Sequence, residues 1–310
     1  MIFFAILLAL ASPFTTPAAV FGQDNRQNVL LNSPEAALAR STAVAVLKPN
    51  FEIVNGRVRL NTTSLAGEIC PEEKFSSDPS LSYSCTGFLV APDLIATAGH
   101  CMVNVGESRN EKLSYCEAYS WLFDYAKDQK GVTALADLDP ANLYRCRQVV
   151  YAIREETAPY RDFALVQLDR PVTNRNPLAL SSAKLNAGPY SMIGYPLGSP
   201  AKLSPNAKIL LNNPSRQSFI TNLDAFDGNS GSPVFNSSRE VVGILVAGTP
   251  SQTLVPDPVR SCQRYNTCDE NGNNCRFPDA VPSIFPYFQR TGSEVQRIAP
   301  IAELVKQLQQ

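Results

Sequence analysis

The sequence is almost without histidine: His100 is the single one among 310 residues. One histidine cannot support a Cys/His zinc site of the usual spacing, and none of the eight cysteines lies in a Cys-x-x-Cys pair. No metal or other cofactor is therefore expected. An excess of charge is missing too, with 27 basic against 28 acidic residues. That balance gives no electrostatic reason to bind nucleic acid or an anionic membrane. Also absent is any strand–helix alternation along the chain, which excludes a parallel sheet built from βαβ units.

The N-terminus carries an apolar run, Ile2 to Ala11, that is ten residues long. It is too short to span a bilayer and has the length of a secretory hydrophobic region. Residues 1–22 read as a signal peptide, with Val20 and Gly22 at the two small-residue cleavage positions. Residues 23–40 are an N-terminal extension, or a pro-segment removed after Arg40; both readings stand. Eight cysteines fit export to an oxidising compartment. A secreted monomer, free of the membrane once the signal is removed, is the expectation.

Beyond Arg40 the pattern is all-β. Ser41 to Leu47, Cys85 to Val90, Leu94 to Cys101, Gln148 to Ile153 and Asp162 to Leu168 read as strands in the first half. Ser191 to Pro196, Lys208 to Leu211, Ser218 to Thr221 and Val241 to Val246 follow in the second. Short strands with frequent turn signals indicate barrels or sandwiches. The stretch 102–147 has no strong periodicity and reads as a long insertion, closed near its ends by a Cys116–Cys146 bridge. A Cys85–Cys101 bridge would tie the hairpin that ends at His100, a loop worth about 3 kcal/mol in the chain-entropy model. Cys70, Cys262, Cys268 and Cys275 allow three pairings. Asp269 to Asn273 reads as an Asn-Gly turn, since it lacks the glycine and glutamate of a calcium loop. Val295, Ile298, Ile301, Leu304, Val305 and Leu308 recur at helical spacing, with Pro300 in the first turn.

The chemistry-bearing residues lie in three motifs: Thr97-Ala98-Gly99-His100-Cys101, Asp162-Phe163-Ala164-Leu165 and Gly228-Asn229-Ser230-Gly231-Ser232-Pro233. A serine is a poor nucleophile until an adjacent base takes its proton, and His100 is the only imidazole present. A plain Gly/Ser turn and a strand-edge aspartate are the bland alternatives for Ser230 and Asp162. The elbow of an α/β-hydrolase needs glycine two residues after the serine, where this chain has Ser232.

The order His, Asp, Ser resembles that of the chymotrypsin-type proteases. Across residues 41–310 the chain resembles a trypsin-like serine endopeptidase, nearest to the secreted bacterial branch that includes the glutamyl endopeptidases. The Cys85–Cys101 spacing is similar to the bridge around the catalytic histidine in the animal branch. The resemblance implies two antiparallel six-stranded β-barrels, residues 41–175 and 176–310, with the active site in the cleft between them and a C-terminal helix. It implies peptide or protein substrates, catalysis by His100, Asp162 and Ser230, and an oxyanion hole from the N–H groups of Gly228 and Ser230. Asp224 stands where trypsins keep the pocket-floor aspartate, and Asp227 near the pocket mouth, which favours cleavage after Arg or Lys. Val246 and Ala247 would pair with the substrate backbone. Two departures matter. Asn229 replaces the aspartate that receives the new N-terminus in activated trypsins, and no second histidine exists for a glutamyl pocket. The rival from another class is a silent, protease-like binding protein whose cleft is covered by the 102–147 insertion.

Overall fold

The computed structural model describes residues 19–82, 84–104, 113–155, 159–249, 253–277 and 291–310. Its first half is a closed antiparallel barrel. Tyr119–Phe123, Leu143–Arg154, Asp162–Leu168, Leu94–Thr97, Cys85–Ala91 and Thr42–Leu47 follow one another around it, and the last pairs back onto the first. Thr42 to Val46 is buried throughout, as its apolar, partly β-branched run requires.

The expected insertion at 102–147 supplies, in its described part, one whole barrel strand and the start of another. Tyr119–Phe123 pairs on one edge with Thr42–Leu47 and on the other with Leu143–Arg154. Trp121 is fully buried, and it fits because residue 87 is glycine. A Cβ at Gly87 would come within 2.6 Å of both the Trp121 ring and the Ile95 side chain. The segment between the two strands is tied to the Phe51–Val54 and Arg57–Leu60 hairpin through Val58 and Leu138, and to Leu30 through Lys127. Residues 105–112 of the stretch lie outside the described residues.

The second half departs from a closed six-stranded barrel. Among the described residues it is an open antiparallel sheet of eight strands: Ile209–Leu211, Ser218–Thr221, Gly292–Arg297, Val241–Thr249, Pro233–Phe235, Tyr190–Gly194, Lys202–Ala207 and Gln27–Asn28. The added edge comes from the N-terminal segment, whose Gln27 and Asn28 pair with Leu203 and Lys202.

The same segment is packed into the fold from Ala19 on. Val20–Phe21 pairs in parallel with Thr267–Cys268, and Ala19, Val20 and Phe21 are buried. The expected cleavage near Gly22 would remove this strand from its pairing with Thr267–Cys268. Residues 23–40 are likewise integrated: besides the edge strand, the short helix Ala36–Ala39 buries Ala36 and Ala39, and Arg175 donates to the Arg40 carbonyl.

Four disulfides fasten the fold: Cys70–Cys262, Cys85–Cys101, Cys116–Cys146 and Cys268–Cys275. The last closes the Asp269 turn, where Asp269 N–H donates to the Asn273 carbonyl. The C-terminal helix Ala299–Leu308 carries Pro300 in its first turn and buries Ile301 and Val305. No described helix is long and apolar enough to cross a membrane.

Candidate active site

His100 sits in the single 3-10 turn Gly99–Cys101 that ends the Leu94–Thr97 strand. Its backbone N–H donates to Asp162 Oδ1 at 2.8 Å, and its Nδ1 lies 2.8 Å from Asp162 Oδ2. An ionised carboxylate only accepts, so this contact keeps the proton on Nδ1 and leaves Nε2 with a free lone pair. Nε2 is buried and has no hydrogen-bond partner among the described residues. Gly99 permits the approach. A Cβ there would stand 1.9 Å from the Ile153 carbonyl oxygen and 2.8 Å from Asp162 Oδ1.

Asp162 opens the Asp162–Leu168 strand and is held from the second half of the molecule. Its N–H donates to Oε1 of Gln296 at 3.1 Å, and Gln296 Nε2 donates to the Gln217 carbonyl at 2.7 Å. Gln296 is fully buried, and Glu294, on the same face of the Gly292–Arg297 strand, is nearly so. Burial pushes the Glu294 carboxyl above its ordinary range; the Ser218 hydroxyl, which donates to it, pulls the other way, and the nearby Asp162 charge adds to the rise.

Ser230 lies in the turn between Phe226 and Ser232, anchored by Asn229 N–H to the Phe226 carbonyl and Ser232 N–H to the Asn229 carbonyl. Gly228 and Gly231 both have φ of +91°, in the region that favours glycine. Both also lie against backbone: a Cβ at Gly231 would stand 1.9 Å from the Thr86 carbonyl oxygen, and one at Gly228 2.4 Å from that of Tyr195. The N–H groups of Gly228 and Ser230 donate to no other group among the described residues. Such a turn offers two amide donors to one developing negative charge.

The expected substrate-pocket residues divide. Asp224 is 2 % exposed; the N-terminal strand meets one of its carboxylate oxygens, and the other, Oδ2, is buried with no hydrogen-bond partner among the described residues. Its Oδ1 accepts the Phe21 N–H at 2.7 Å, and its own N–H donates to Ser204 Oγ at 3.0 Å. Burial pushes its carboxyl up to about 7, against the Phe21 hydrogen bond and the nearby Arg26 charge. Asp227, by contrast, is exposed. Val246 is buried and Ala247 half-buried. Beyond Leu245, their strand is paired only with Gly292–Arg297 among the described residues, so its other edge stays unpaired there.

Several residues around the site went unsingled by sequence. Arg26 is buried behind the turn, paired with Asp24 at 2.6 Å and lying 4.2 Å from the Phe226 ring centroid and 4.5 Å from that of Tyr265. Thr86 and Gln296 touch the site from distant positions in the chain. No short-range pattern marks any of them.

The family model described as the trypsin-like peptidase domain matches residues 85–244. Among solved structures, the chain is similar to a Glu endopeptidase in complex with MPD, at 19% identity over 74% of this chain and 88% of that one, with a TM-score of 0.48. It is also similar to an inactive form of Rv3671c from M. tuberculosis H37Rv, at 13% identity over 95% and 97% of the two chains, with a TM-score of 0.44. No curated protein sequence matches it.

Proposed function

Because the chain belongs to the trypsin-like peptidase family and is thus a serine endopeptidase, we propose that it cuts peptide bonds through Ser230, His100 and Asp162. The observation that carries this assignment is the double hold of Asp162 on His100. Ser230 Oγ attacks the peptide carbonyl while His100 Nε2 takes the hydroxyl proton. The C–N bond then breaks as His100 returns that proton to the leaving amine, and an ester remains on Ser230. Water, deprotonated by His100, attacks the ester, and its C–O bond breaks as His100 returns that proton to Ser230 Oγ, releasing the acid. Asp162 holds the imidazole tautomer and stabilises imidazolium in both steps. The N–H groups of Gly228 and Ser230 receive the oxyanion, each donor being worth about 3–4 kcal/mol in such a site.

Substrate backbone adds to the unpaired edge at Val246 and Ala247. We leave Asp224 out of substrate binding, since it is buried and its Oδ1 accepts the Phe21 N–H. Any preference for Arg or Lys on the acyl side then rests on Asp227, the exposed carboxylate of the two. Residues 41–175 and 176–310 form the two halves of the catalytic unit, with residues 19–40 added to the second. Four disulfides and the apolar run at Ile2 to Ala11 support secretion. We place the signal boundary before Ala19, where Thr16 and Ala18 supply the small residues.

A fluorophosphonate probe tests the nucleophile. It should label the processed protein at Ser230, and Ser230→Ala should abolish both labelling and peptide hydrolysis. Hydrolysis retained by Ser230→Ala would overturn the assignment. Processed native protein that neither reacts nor cleaves would favour the silent binding protein instead.

A further inference from the structure

Thr86 is fully buried between Cys85 and Gly87, and every polar atom it owns is engaged. Its N–H donates to the Ser230 carbonyl at 2.7 Å. Its hydroxyl donates to the Gly228 carbonyl at 2.8 Å and accepts the Tyr195 N–H at 3.3 Å. Its own carbonyl accepts the Thr97 hydroxyl at 2.7 Å. One residue of the first barrel thus grips both residues whose N–H groups we assign to the oxyanion, and it neighbours the cysteine bridged to the one after His100.

We propose that the Thr86 hydroxyl is a positioning group that keeps the oxyanion hole of this peptidase formed. The proposal rests on the roles assigned above to Ser230 and Gly228. Two peptide planes meet at Gly228. The carbonyl of the first, Asp227 O, accepts the Leu197 N–H, so the Gly228 N–H on the same plane points the opposite way. The carbonyl of the second, Gly228 O, is held by the Thr86 hydroxyl. Glycine adopts many backbone conformations at low cost, so this turn needs outside restraint to hold one. Without the hydroxyl, the Gly228 carbonyl and the Tyr195 N–H lose their partner in a buried setting, and rotation of the second plane is the relief available. That rotation turns the chain on both sides of Gly228 and misaims its N–H. Thr86 touches neither substrate nor the reacting atoms. It acts on the charge that develops in the transition state, and ground-state binding should be indifferent to it.

The test uses the mature enzyme and the near-isosteric Thr86→Val, with Thr86→Ser as the variant that restores a hydroxyl. Thr86→Val should lower kcat about tenfold or more with KM within about twofold, since small misplacements of catalytic groups carry effects of this size. Thr86→Ser should recover most of the loss. Amide hydrogen exchange over residues 226–231 should quicken in Thr86→Val and not in Thr86→Ser. An unchanged kcat in Thr86→Val, a loss confined to KM, or no recovery in Thr86→Ser overturns the proposal. Exchange can also be read in a Ser230→Ala background, so the clamp is judged even if the serine assignment fails; unaltered exchange there overturns it as well. If Thr86→Val does not fold, Thr97→Val, which releases the Thr86 carbonyl, must lower kcat at constant KM, and a normal kcat then refutes the clamp.

Discussion

Asp162 grips His100 at two places at once, with one carboxylate oxygen on the backbone N–H and the other on the ring, each at 2.8 Å. The first contact fixes where the histidine turn sits, and the second fixes which ring nitrogen carries the proton. Asparagine could replace the first and not the second. In Asp162→Asn the side-chain carbonyl can still accept the His100 N–H, while the amide offers its own hydrogens to Nδ1 and reverses the tautomer. The expected outcome is a fall in kcat of order 10⁴-fold with the fold preserved, checked by steady-state kinetics beside circular dichroism.

Asp224 should make stability fall as pH rises. Burial, above all, raises its folded pKa to about 7 from the ordinary aspartate value of 3.8. The native state therefore holds a proton that the unfolded chain has released between those values, and the group's contribution, full below about pH 4, is lost as pH climbs through 7. Urea unfolding should show Asp224→Asn matching the wild type near pH 4 and exceeding it near pH 8. The same variant should leave the acyl-side residue preference unchanged in a peptide library, because the carboxylate faces Phe21. A preference for Arg or Lys that disappears in this variant would return Asp224 to the substrate pocket.

Gly99→Ala is expected to fail for a reason unrelated to turn propensity. The added methyl would stand 1.9 Å from the Ile153 carbonyl, a backbone atom that cannot swing aside. Overpacking of this kind costs about 1–3 kcal/mol, and relief by moving the turn carries His100 off Asp162. A lowered thermal midpoint together with a kcat loss far larger than that of a surface alanine substitution would bear this out.

The exported protein should begin at Ala19. N-terminal sequencing of secreted material checks this directly, and a start at Gln23 would refute it. Removing residues 19–22 from the mature chain should destabilise it by several kcal/mol, since Val20 and Phe21 are 1 % and 4 % exposed and each large apolar side chain is worth about 1.5–3 kcal/mol on burial.

Much of the candidate site is legible in the sequence because its motifs are local. The glycines around Ser230, the apolar strand ending at Gly99-His100 and the acidic start of the strand at Asp162 all announce themselves over a few residues. The C-terminal helix was equally plain from its spacing. Other features depend on partners far along the chain. Tyr119–Phe123 looks like part of an irregular loop until Thr42–Leu47 lies beside it and Gly87 makes room for Trp121. Asp224 looks like a pocket floor by its distance from Ser230, yet Phe21, 203 residues earlier, decides its environment. Thr86 reads as one more strand residue, and its hydroxyl acquires a role only when Gly228, 142 residues later, arrives.

The N-terminal strand has a consequence for how the molecule is made. Val20 and Phe21 leave the ribosome among the first residues and rest against Thr267 and Cys268, among the last. Until most of the chain is available, Val20 and Phe21 lack the strand they pair with. Pairings of such long sequence separation form slowly. The hold on Asp162 waits likewise for Gln296, so the candidate site takes its final form only after the last strand of the sheet has been made.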